Sequence, residues 1–483
     1  MRQKKHTALG ISLFIFACIG VLALGCWLWP DKGIRIGELE LKWPKLSEIL
    51  ETPTDTLAVG SEGSAIGIID EPIDSAELMS AEPVVVAEPA KPVAVAPIKP
   101  VEEITLEPSD TVLEPVTRLT HLAAALEKAD SVPVRVVYYG DSQIEGDRMT
   151  MTIRRALQAL YGGGGVGLLP LHQTISSRTI IQNLKLSDIT QSTGDGPQRY
   201  MAFGPMSARR ENKIYGPMGQ CAVLDDSLKA GSEHALWTAY AQKRKNTESY
   251  FNRVRVFASP TIDVNVHKAT KSKDESQKSN SVYILPDSTT AVTIALNGEG
   301  DVYGICLESD HGVMVDNVPM RGCAGTIFTS INSRELRDYY QATNTKLIIL
   351  QFGGNVVPYT HTTKQVNTYI GRVRNQIRYL KQLAGECDFV FVGPSDMVDK
   401  SGSDIHTHPA VPAIDKGLKQ LCDEEGVLYF SLYNAMGGSG SMQAWKTRGW
   451  AGSDLIHFTR QGADKAGEML AEWLVEHLTI NDE

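Results

Sequence analysis

Between residues 313 and 478, short apolar runs alternate with longer segments that have helical spacing. Strands separated by helices pair in parallel, because a parallel pair needs a crossover connection. The predicted strands are residues 313–318, 346–352, 388–393 and 427–432, and the predicted helices are 366–383, 414–422 and 460–478. This alternation predicts an α/β fold of three layers, in which helices cover both faces of a parallel sheet.

One more strand of this sheet is predicted earlier, at VRVVYYG, residues 134–140. It runs into Asp141 and Ser142, a position where open α/β sheets place ligands. Two interpretations remain open: both residues cap the next helix, or Ser142 is a nucleophile exposed at the sheet edge. A glycine run at 162–167 follows that helix. It lacks the Lys-Ser/Thr of a phosphate loop, and we interpret it as a flexible loop.

The alternation stops between residues 175 and 309, where short strands are separated by turn residues. This spacing predicts an antiparallel β-sandwich inserted between the first and second strands of the parallel sheet. The α/β domain would then consist of residues 116–174 and 310–483. Its combined length with the insertion exceeds what one core usually serves.

The N-terminus begins with a basic leader, residues 1–7, and continues with residues 8–29, which carry no charge. That length suits a transmembrane helix, and the leader predicts a cytoplasmic N-terminus. The alternatives are a lipoprotein signal ending at Cys26 and a cleaved signal peptide. All three place the rest of the chain in the periplasm or otherwise beyond the inner membrane.

Residues 30–115 are predicted to form a disordered linker. From residue 51 to 115 there are fourteen acidic residues, two lysines, nine prolines and no aromatic residue. Such a composition buries too little apolar surface to offset the entropy of ordering. The net charge of this stretch is −12, and that of the whole chain is −10. The acidity therefore belongs to the linker and says nothing about the substrate.

Neither the cysteines nor the histidines form a convincing metal motif. The five cysteines after the apolar segment have no metal-ligand spacing, so buried thiols are the default, with one disulfide left open. His406 and His408 suggest either a metal site or a surface loop, and Asp404 with His406 is a rival carboxylate–histidine pair. No third ligand is near in sequence, and we expect no metal or cofactor.

Unusual polar residues follow three predicted strands: Gly140-Asp141-Ser142, Gly353-Gly354-Asn355 and Asp454-Leu-Ile-His457. A serine nucleophile needs a base, and a histidine base needs a carboxylate to fix its tautomer. Asp454 and His457 are three residues apart, so one turn can hold both. Asn355 and the backbone N–H groups of Ser142 and Gly322 are candidate oxyanion donors, with Gly325 as the alternative glycine. Taken singly, Asp454 suits an N-cap, Asn355 a turn and His457 the surface.

In this order, Gly140-Asp141-Ser142, Gly322, Asn355 and Asp454-x-x-His457 resemble the four blocks of the SGNH (GDSL-type) hydrolases. The surrounding stretches resemble the envelope members that de-O-acetylate peptidoglycan: YGDSQIEGDRM, GGGVGLLPL, VDNVPMRGCAG, LQFGGN, GGSGSMQAW and DLIHFTRQG. Those members also carry a β-rich, carbohydrate-binding-like insertion after the first block. The resemblance covers about residues 134–478.

This resemblance implies a flavodoxin-like α/β/α fold and a role for each block. Ser142 would be the nucleophile, His457 the base and Asp454 its orienting carboxylate, with Ser142, Gly322 and Asn355 in the oxyanion hole. Two positions depart from the pattern. Gln143 replaces the usual Leu, a change we expect to lie outside the chemistry, and Asn355 is not followed by the common Asp. The serine loop is also not the GxSxG elbow of α/β-hydrolases.

The expected function is an extracytoplasmic serine esterase that removes O-acetyl groups from cell-wall glycan, with peptidoglycan as the favoured substrate. Two alternatives stay open: an O-acetyltransferase with the same triad, and a glycan-binding envelope protein with a vestigial triad. The expected partners are the acetylated glycan and, through the N-terminal helix, the membrane; no nucleic acid is expected. Trp237, Tyr240 and Tyr250 are candidate glycan contacts of the insertion, with burial in its core as the alternative for each.

Overall fold

The computed structural model describes residues 34–36, 39–41, 116–186, 197–204, 207–225, 235–242, 249–273, 280–399 and 405–478. The apolar segment 8–29 and most of the predicted linker lie outside these ranges. Residues 1–66 and 67–483 are separate units. In the first unit, two short strands inside the predicted linker pair in antiparallel fashion. None of the helices formed by the described residues is long and apolar enough to cross a membrane.

The strands are β1 (Ile34–Ile36), β2 (Leu39–Leu41), β3 (Val134–Gly140), β4 (Gly167–Leu169), β5 (Ile180–Leu186), β6 (Arg199–Met201), β7 (Gln220–Leu224), β8 (Ala235–Ala241), β9 (Phe251–Ala258), β10 (Asp263–Val266), β11 (Thr270–Lys271), β12 (Asn280–Thr289), β13 (Ala291–Asn297), β14 (Gly300–Glu308), β15 (Val313–Pro319), β16 (Thr345–Gln351), β17 (Asp388–Val392), β18 (Val398–Asp399), β19 (His406–Thr407) and β20 (Leu428–Phe430). The α-helices are α1 (Thr120–Leu126), α2 (Thr150–Tyr161), α3 (Ser333–Ala342), α4 (Thr363–Ala384), α5 (Ala410–Glu425), α6 (Leu432–Met436), α7 (Ser441–Thr447) and α8 (Arg460–Glu476).

The predicted parallel sheet is confirmed, with strand order β15-β3-β16-β17-β20 and every pair parallel. In the register of this sheet, Gly140 at the end of β3 lies beside Pro319 and Gln351, which end the two neighbouring strands. The loops after β3, β15 and β16 therefore start at one edge of the sheet. These are three of the four loops in which the sequence places the chemistry.

Side chains of β3 alternate between two hydrophobic cores, as the pleat of a strand buried on both faces requires. One face carries Val136 and Tyr138, and the other carries Val137 and Tyr139. The first core includes residues of α1, α2 and α8, and the second includes residues of α3, α4 and α5: Leu122, Ile153 and Leu470, against Leu336, Ile370 and Leu418. The predicted three layers thus follow from one strand pattern.

Two antiparallel sheets lie between β3 and β15 in the chain. One has the order β10-β13-β8-β5 and the other β11-β12-β9-β14-β7-β6, with β4 paired to β14. A third hydrophobic core contains residues of both sheets, including Trp237, Ile294, Val254 and Ile305. Trp237 is fully buried there, so it cannot be the surface contact that we predicted. The first strand of these sheets, β4, also lies ahead of the predicted start at residue 175.

The glycine run is buried at residues 164–167, whereas Gly162 is exposed. The prediction of a flexible loop is wrong for the buried part. A Cβ at Gly164 would lie 2.1 Å from the carbonyl oxygen of Tyr250, and one at Gly165 equally close to that of Leu307. Gly165 and Gly167 also have φ of 79° and 75°, which favour glycine. The run lets the backbone pass between the parallel sheet and the antiparallel sheets at close contact.

A buried charge cluster also joins these two parts. Arg135 of β3 lies 2.7 Å from Asp316 of β15 and contacts Glu308 of β14. The second oxygen of Glu308 lies 3.1 Å from Nε of Arg255, on β9. All four side chains are less than a tenth exposed. Burial would raise the pKa of Glu308, but Arg255, Arg135 and Arg253 outweigh it and lower that pKa.

Candidate active site

Ser142 lies directly after the central strand β3 and is half-buried. It begins a short 3-10 segment, Ser142–Asp147, which is kinked at Glu145 and Gly146 and has Asp141 as its N-cap. The Asp141 side chain accepts a hydrogen bond from the backbone N–H of Gln143 at 2.9 Å. This turn, which the sequence also allowed as a simple cap, holds the serine at the carboxyl edge of the sheet.

The structure brings Ser142, His457 and Asp454 into one chain of hydrogen bonds. Oγ of Ser142 lies 2.9 Å from Nε2 of His457, although the two residues are 315 positions apart. Nδ1 of His457 lies 2.7 Å from Oδ2 of Asp454. A carboxylate on Nδ1 keeps the proton there, which leaves the lone pair of Nε2 facing the serine hydroxyl. The arrangement can therefore activate Ser142 as a nucleophile.

A tight turn before α8 holds Asp454 in place. Its Oδ1 accepts hydrogen bonds from the backbone N–H groups of Ile456 and His457, both at 3.1 Å. Leu455, between Asp454 and Ile456, has φ of 58°, an uncommon value for a leucine. Burial would raise the pKa of Asp454, but the hydrogen bonds from the His457 side chain and the two N–H groups outweigh it and lower that pKa to about 2. Asp454 is thus ionised throughout the range in which histidine titrates.

The two glycines considered as oxyanion donors have different surroundings. Gly322 follows β15 and is partly exposed, and a Cβ there would meet no atom within 4 Å. Gly325 is buried against Phe352, and its N–H donates to Sγ of Cys323 at 3.3 Å. The space for a ligand is therefore at Gly322.

Asn355 lies shortly after β16, and its side-chain amide donates hydrogen bonds to two acceptors. Nδ2 donates to the backbone oxygen of Cys323 at 3.0 Å and to Oδ2 of Asp141 at 3.3 Å. Burial raises the pKa of Asp141 to about 6, against the opposing effects of the Gln143 N–H, His457 and Arg148. Asn355 is thus linked to the nucleophile turn through a carboxyl group that titrates near neutral pH.

Two side chains of the nucleophile turn, Gln143 and Arg148, hold the backbone around His457, and sequence analysis missed both. Gln143 contacts Ile456 and Phe458, and Arg148 donates to the backbone oxygens of Ser142 and Phe458. These contacts touch no reacting atom, but they link Gln143 to the backbone beside His457, which the sequence did not predict. The departure from the usual Leu at this position was the one available signal.

The histidines at positions 406 and 408 are separate from this site's hydrogen bonds. His406 is exposed, and its Nε2 lies 3.7 Å from Oδ2 of Asp399. Asp404, its predicted partner, lies outside the described residues. Within those residues, no group of three or more His, Cys, Asp or Glu side chains is arranged to hold a metal ion. The five cysteines of the described part are buried and form no disulfide.

The sequence profile of the GDSL-like lipase/acylhydrolase family matches residues 287–465. The matched segment contains Gly322, Asn355, Asp454 and His457. Ser142 lies before it in sequence, and the structure supplies the connection through the hydrogen bond to His457. No curated protein matches the chain.

Among solved structures, a peptidoglycan O-acetylesterase matches with a TM-score of 0.59 at 21% sequence identity, over 74% of this chain and 95% of that one. At this identity the match shows a shared fold. A carbohydrate acetylesterase from Sinorhizobium meliloti matches over 34% of this chain and 79% of its own, at 14% identity and a TM-score of 0.25. An acetylxylan esterase from Geobacillus stearothermophilus covers 35% and 74%, at 14% identity and 0.24. These two scores are too low to support an argument.

Proposed function

We propose that this chain, a carboxylic ester hydrolase whose residues 287–465 match the GDSL-like lipase/acylhydrolase family, removes O-acetyl groups from peptidoglycan outside the cytoplasm. The observation that carries the proposal is the hydrogen-bond chain from Ser142 through His457 to Asp454. The glycan substrate is supported by the fold shared with a peptidoglycan O-acetylesterase over most of both chains.

In the proposed reaction, Oγ of Ser142 attacks the acetyl carbonyl carbon while Nε2 of His457 takes the hydroxyl proton. The tetrahedral intermediate then expels the sugar oxygen, which takes this proton from His457 and leaves as a hydroxyl group. Acetyl-Ser142 remains. Water attacks it while His457 takes one of its protons, and collapse of the second intermediate returns that proton to Oγ of Ser142 and releases acetic acid, which ionises to acetate. Asp454 stays ionised and stabilises the imidazolium in both steps.

The oxyanion of the intermediate needs donors that point at the developing charge. We assign this role to the backbone N–H groups of Ser142 and Gly322 and to Nδ2 of Asn355. In the structure, Asn355 donates to Cys323 and, at the longer distance of 3.3 Å, to Asp141. Serving the oxyanion requires it to give up the weaker of these two bonds. The open space around Gly322 leaves room for the acetyl group.

The location and the insertion complete the proposal. Residues 8–29 would anchor the chain in the inner membrane, or Cys26 would carry a lipid, and residues 30–115 would let the catalytic domain reach the insoluble polymer. The antiparallel sheets between β3 and β15 would form a β-sandwich that holds glycan strands beside the site. The N-terminal part of this proposal rests on sequence composition.

Acetate release from purified O-acetylated peptidoglycan tests the function directly. The wild type should release acetate, whereas Ser142→Ala should not, and peptidoglycan stripped of acetyl groups by mild alkali is the blank. Acetylated oligosaccharide formed in place of free acetate would favour the transferase. Failure of a fluorophosphonate to label Ser142 in folded protein, together with no turnover, would favour a glycan-binding protein. Hydrolysis of aryl acetates without any release from peptidoglycan would overturn the substrate assignment.

A further inference from the structure

Gln143 lies next to the nucleophile, and its side chain is bound to the backbone on both sides of the catalytic histidine. Its Nε2 donates to the carbonyl oxygen of Ile456 at 2.7 Å, and its Oε1 accepts from the N–H of Phe458 at 3.4 Å. Nε2 also lies 3.4 Å from Oγ of Ser395. This amide orientation is fixed by its partners, because the reverse would place two oxygens against each other at Ile456.

The backbone around His457 belongs to the turn between Gly452 and Phe458, which lies outside regular helix and strand. Within the turn, Oδ1 of Asp454 accepts hydrogen bonds from the N–H groups of Ile456 and His457. These bonds shape the turn, but they do not attach it to the segment that carries Ser142. The turn is closed by the bond from Gly452 N–H to the His457 carbonyl at 2.8 Å, and it contains Leu455 in its unfavourable conformation. The imidazole itself is about 40% exposed, so packing does not hold its ring on all sides.

Gln143 thus makes a short connection between the two reacting groups. One covalent step along the chain joins it to Ser142, and two hydrogen bonds join it to the residues that flank His457. Any shift of the histidine turn away from the serine must break these bonds to a side chain that is only 7% exposed. Arg148 adds a weaker tie, at 3.4 Å from its Nη1 to the carbonyl oxygen of Phe458.

We infer that Gln143 is a positioning residue, which keeps Nε2 of His457 in line with Oγ of Ser142. This inference rests on the proposed serine mechanism, and it goes beyond the roles that the motifs assign. A leucine of similar size fills the same space but cannot bond either backbone group. In this chain, therefore, the alignment of base and nucleophile depends on a glutamine amide.

The test is Gln143→Met, which keeps the length of the side chain and removes its hydrogen bonds. With an aryl acetate we expect kcat to fall about 10- to 100-fold at nearly unchanged KM, since small misplacements of catalytic groups have effects of this size. Fluorophosphonate labelling of Ser142 should slow by a similar factor. The low-field proton NMR signal of the His457 Nδ1–H should broaden, because the ring becomes mobile.

Gln376→Met is the matched control. Gln376 is also a buried glutamine, 4% exposed, and its amide bonds both the N–H and the hydroxyl of Thr329 rather than the backbone beside His457. It should lose stability without a change of kcat per folded molecule. Equal kcat for Gln143→Met and wild type would overturn the inference. If Gln143→Met fails to fold, Gln143→Glu answers the same question, because it retains the acceptor for Phe458 and loses the donor for Ile456.

Ser142→Ala in the same assay separates the two proposals. Loss of activity in Ser142→Ala with no effect of Gln143→Met would sink only the positioning role. Activity that survives Ser142→Ala would instead remove the mechanism on which that role rests.

Discussion

The hydrogen bond between Ser142 and His457 makes the two residues one functional unit, because neither can serve the reaction without the other. Ser142→Ala and His457→Ala should each lower kcat with an aryl acetate by roughly 10⁴–10⁶. The double variant should lose little beyond either single one. Stopped-assay rates at high enzyme concentration give all three values, and losses that multiply would show that the two side chains act independently.

The buried Asp141 makes the free energy of unfolding depend on pH. Its pKa is 3.8 in the unfolded chain and about 6 in the fold, so folding disfavours its ionised form. Its contribution to stability is therefore complete below pH 4 and is lost as pH rises through about 6. Relative to Asp141→Asn, the wild type should lose on the order of 3 kcal/mol of unfolding free energy between pH 4 and 7.

Urea titrations of both proteins at several pH values give this difference. Asp454 does not confuse the result, because its pKa of about 2 is below the usual value. Its contribution is present above pH 4 and is lost only as pH falls towards 2. A difference between wild type and Asp141→Asn that stays constant from pH 4 to 7 would contradict the assignment of the titration to Asp141.

Ser142, Asp454 and His457 could be predicted from sequence because their chemistry is recorded in short local patterns that follow predicted strands. The contacts of Gln143 and Arg148 with the histidine turn could not be predicted, because they join these side chains to backbone atoms more than 300 positions away. Backbone groups carry no residue-specific signal. The difference in space around Gly322 and Gly325 depends on the packing of Phe352, which no spacing rule supplies.

At the scale of elements, hydrophobic periodicity predicted the parallel strands well and failed where close backbone contact decides the structure. The run from Gly162 to Gly167 has the composition of a mobile loop. In the fold it is required because Leu307, Tyr250 and Asp316 approach where a side chain would stand. The prediction that Trp237 is exposed was wrong for a related reason. The alternation of residues on β8 does not show which face of the strand the second sheet covers.

The aromatic residues on β8 and just before β9 fall into two groups, one buried in the core of the inserted sheets and one on their surface. Tyr240 and Tyr250 are 41% and 53% exposed, whereas Trp237 is fully buried. Tyr240→Ala and Tyr250→Ala should keep aryl acetate turnover near wild type and lower activity on polymeric peptidoglycan, because only the polymer is long enough to use added contacts. Trp237→Ala should instead cost about 3–5 kcal/mol of stability and reduce both activities.

Thermal melts and the two activity assays distinguish these variants. Wild-type rates on both substrates for folded Tyr240→Ala and Tyr250→Ala would mean that this surface does not hold glycan.

For the whole molecule, the cluster of Arg135, Asp316, Glu308 and Arg255 ties the parallel sheet to the inserted sheets. Glu308→Gln would leave two buried guanidinium groups without their shared carboxylate, and we expect a loss of about 3–5 kcal/mol. Asp423→Asn is the control, since its pair with Lys419 is exposed and should contribute at most about 1 kcal/mol.

Urea titrations measure the loss of unfolding free energy in each variant. Native-state hydrogen exchange shows separately how the parallel sheet and the inserted sheets are affected. Protection of β3 and of β14 should fall together in Glu308→Gln. Loss of protection in β14 alone would show that the inserted sheets open independently of the parallel sheet.

The place of the insertion between β3 and β15 also decides when the enzyme can first work during its own synthesis. Val134 cannot pair with Val313 until the whole insertion has left the ribosome. Another 144 residues, from Val313 to His457, must follow before His457 can reach Ser142. In total, 315 positions separate Ser142 from His457. At about 5–20 residues per second, Ser142 waits roughly 15–60 s for its base. Until β15 and β16 have been synthesised, β3 is an apolar strand with both edges unpaired, the kind of segment that associates with other chains. The contacts within the inserted sheets are more local and form sooner, so for that time the nascent chain carries a folded module beside a strand that needs protection.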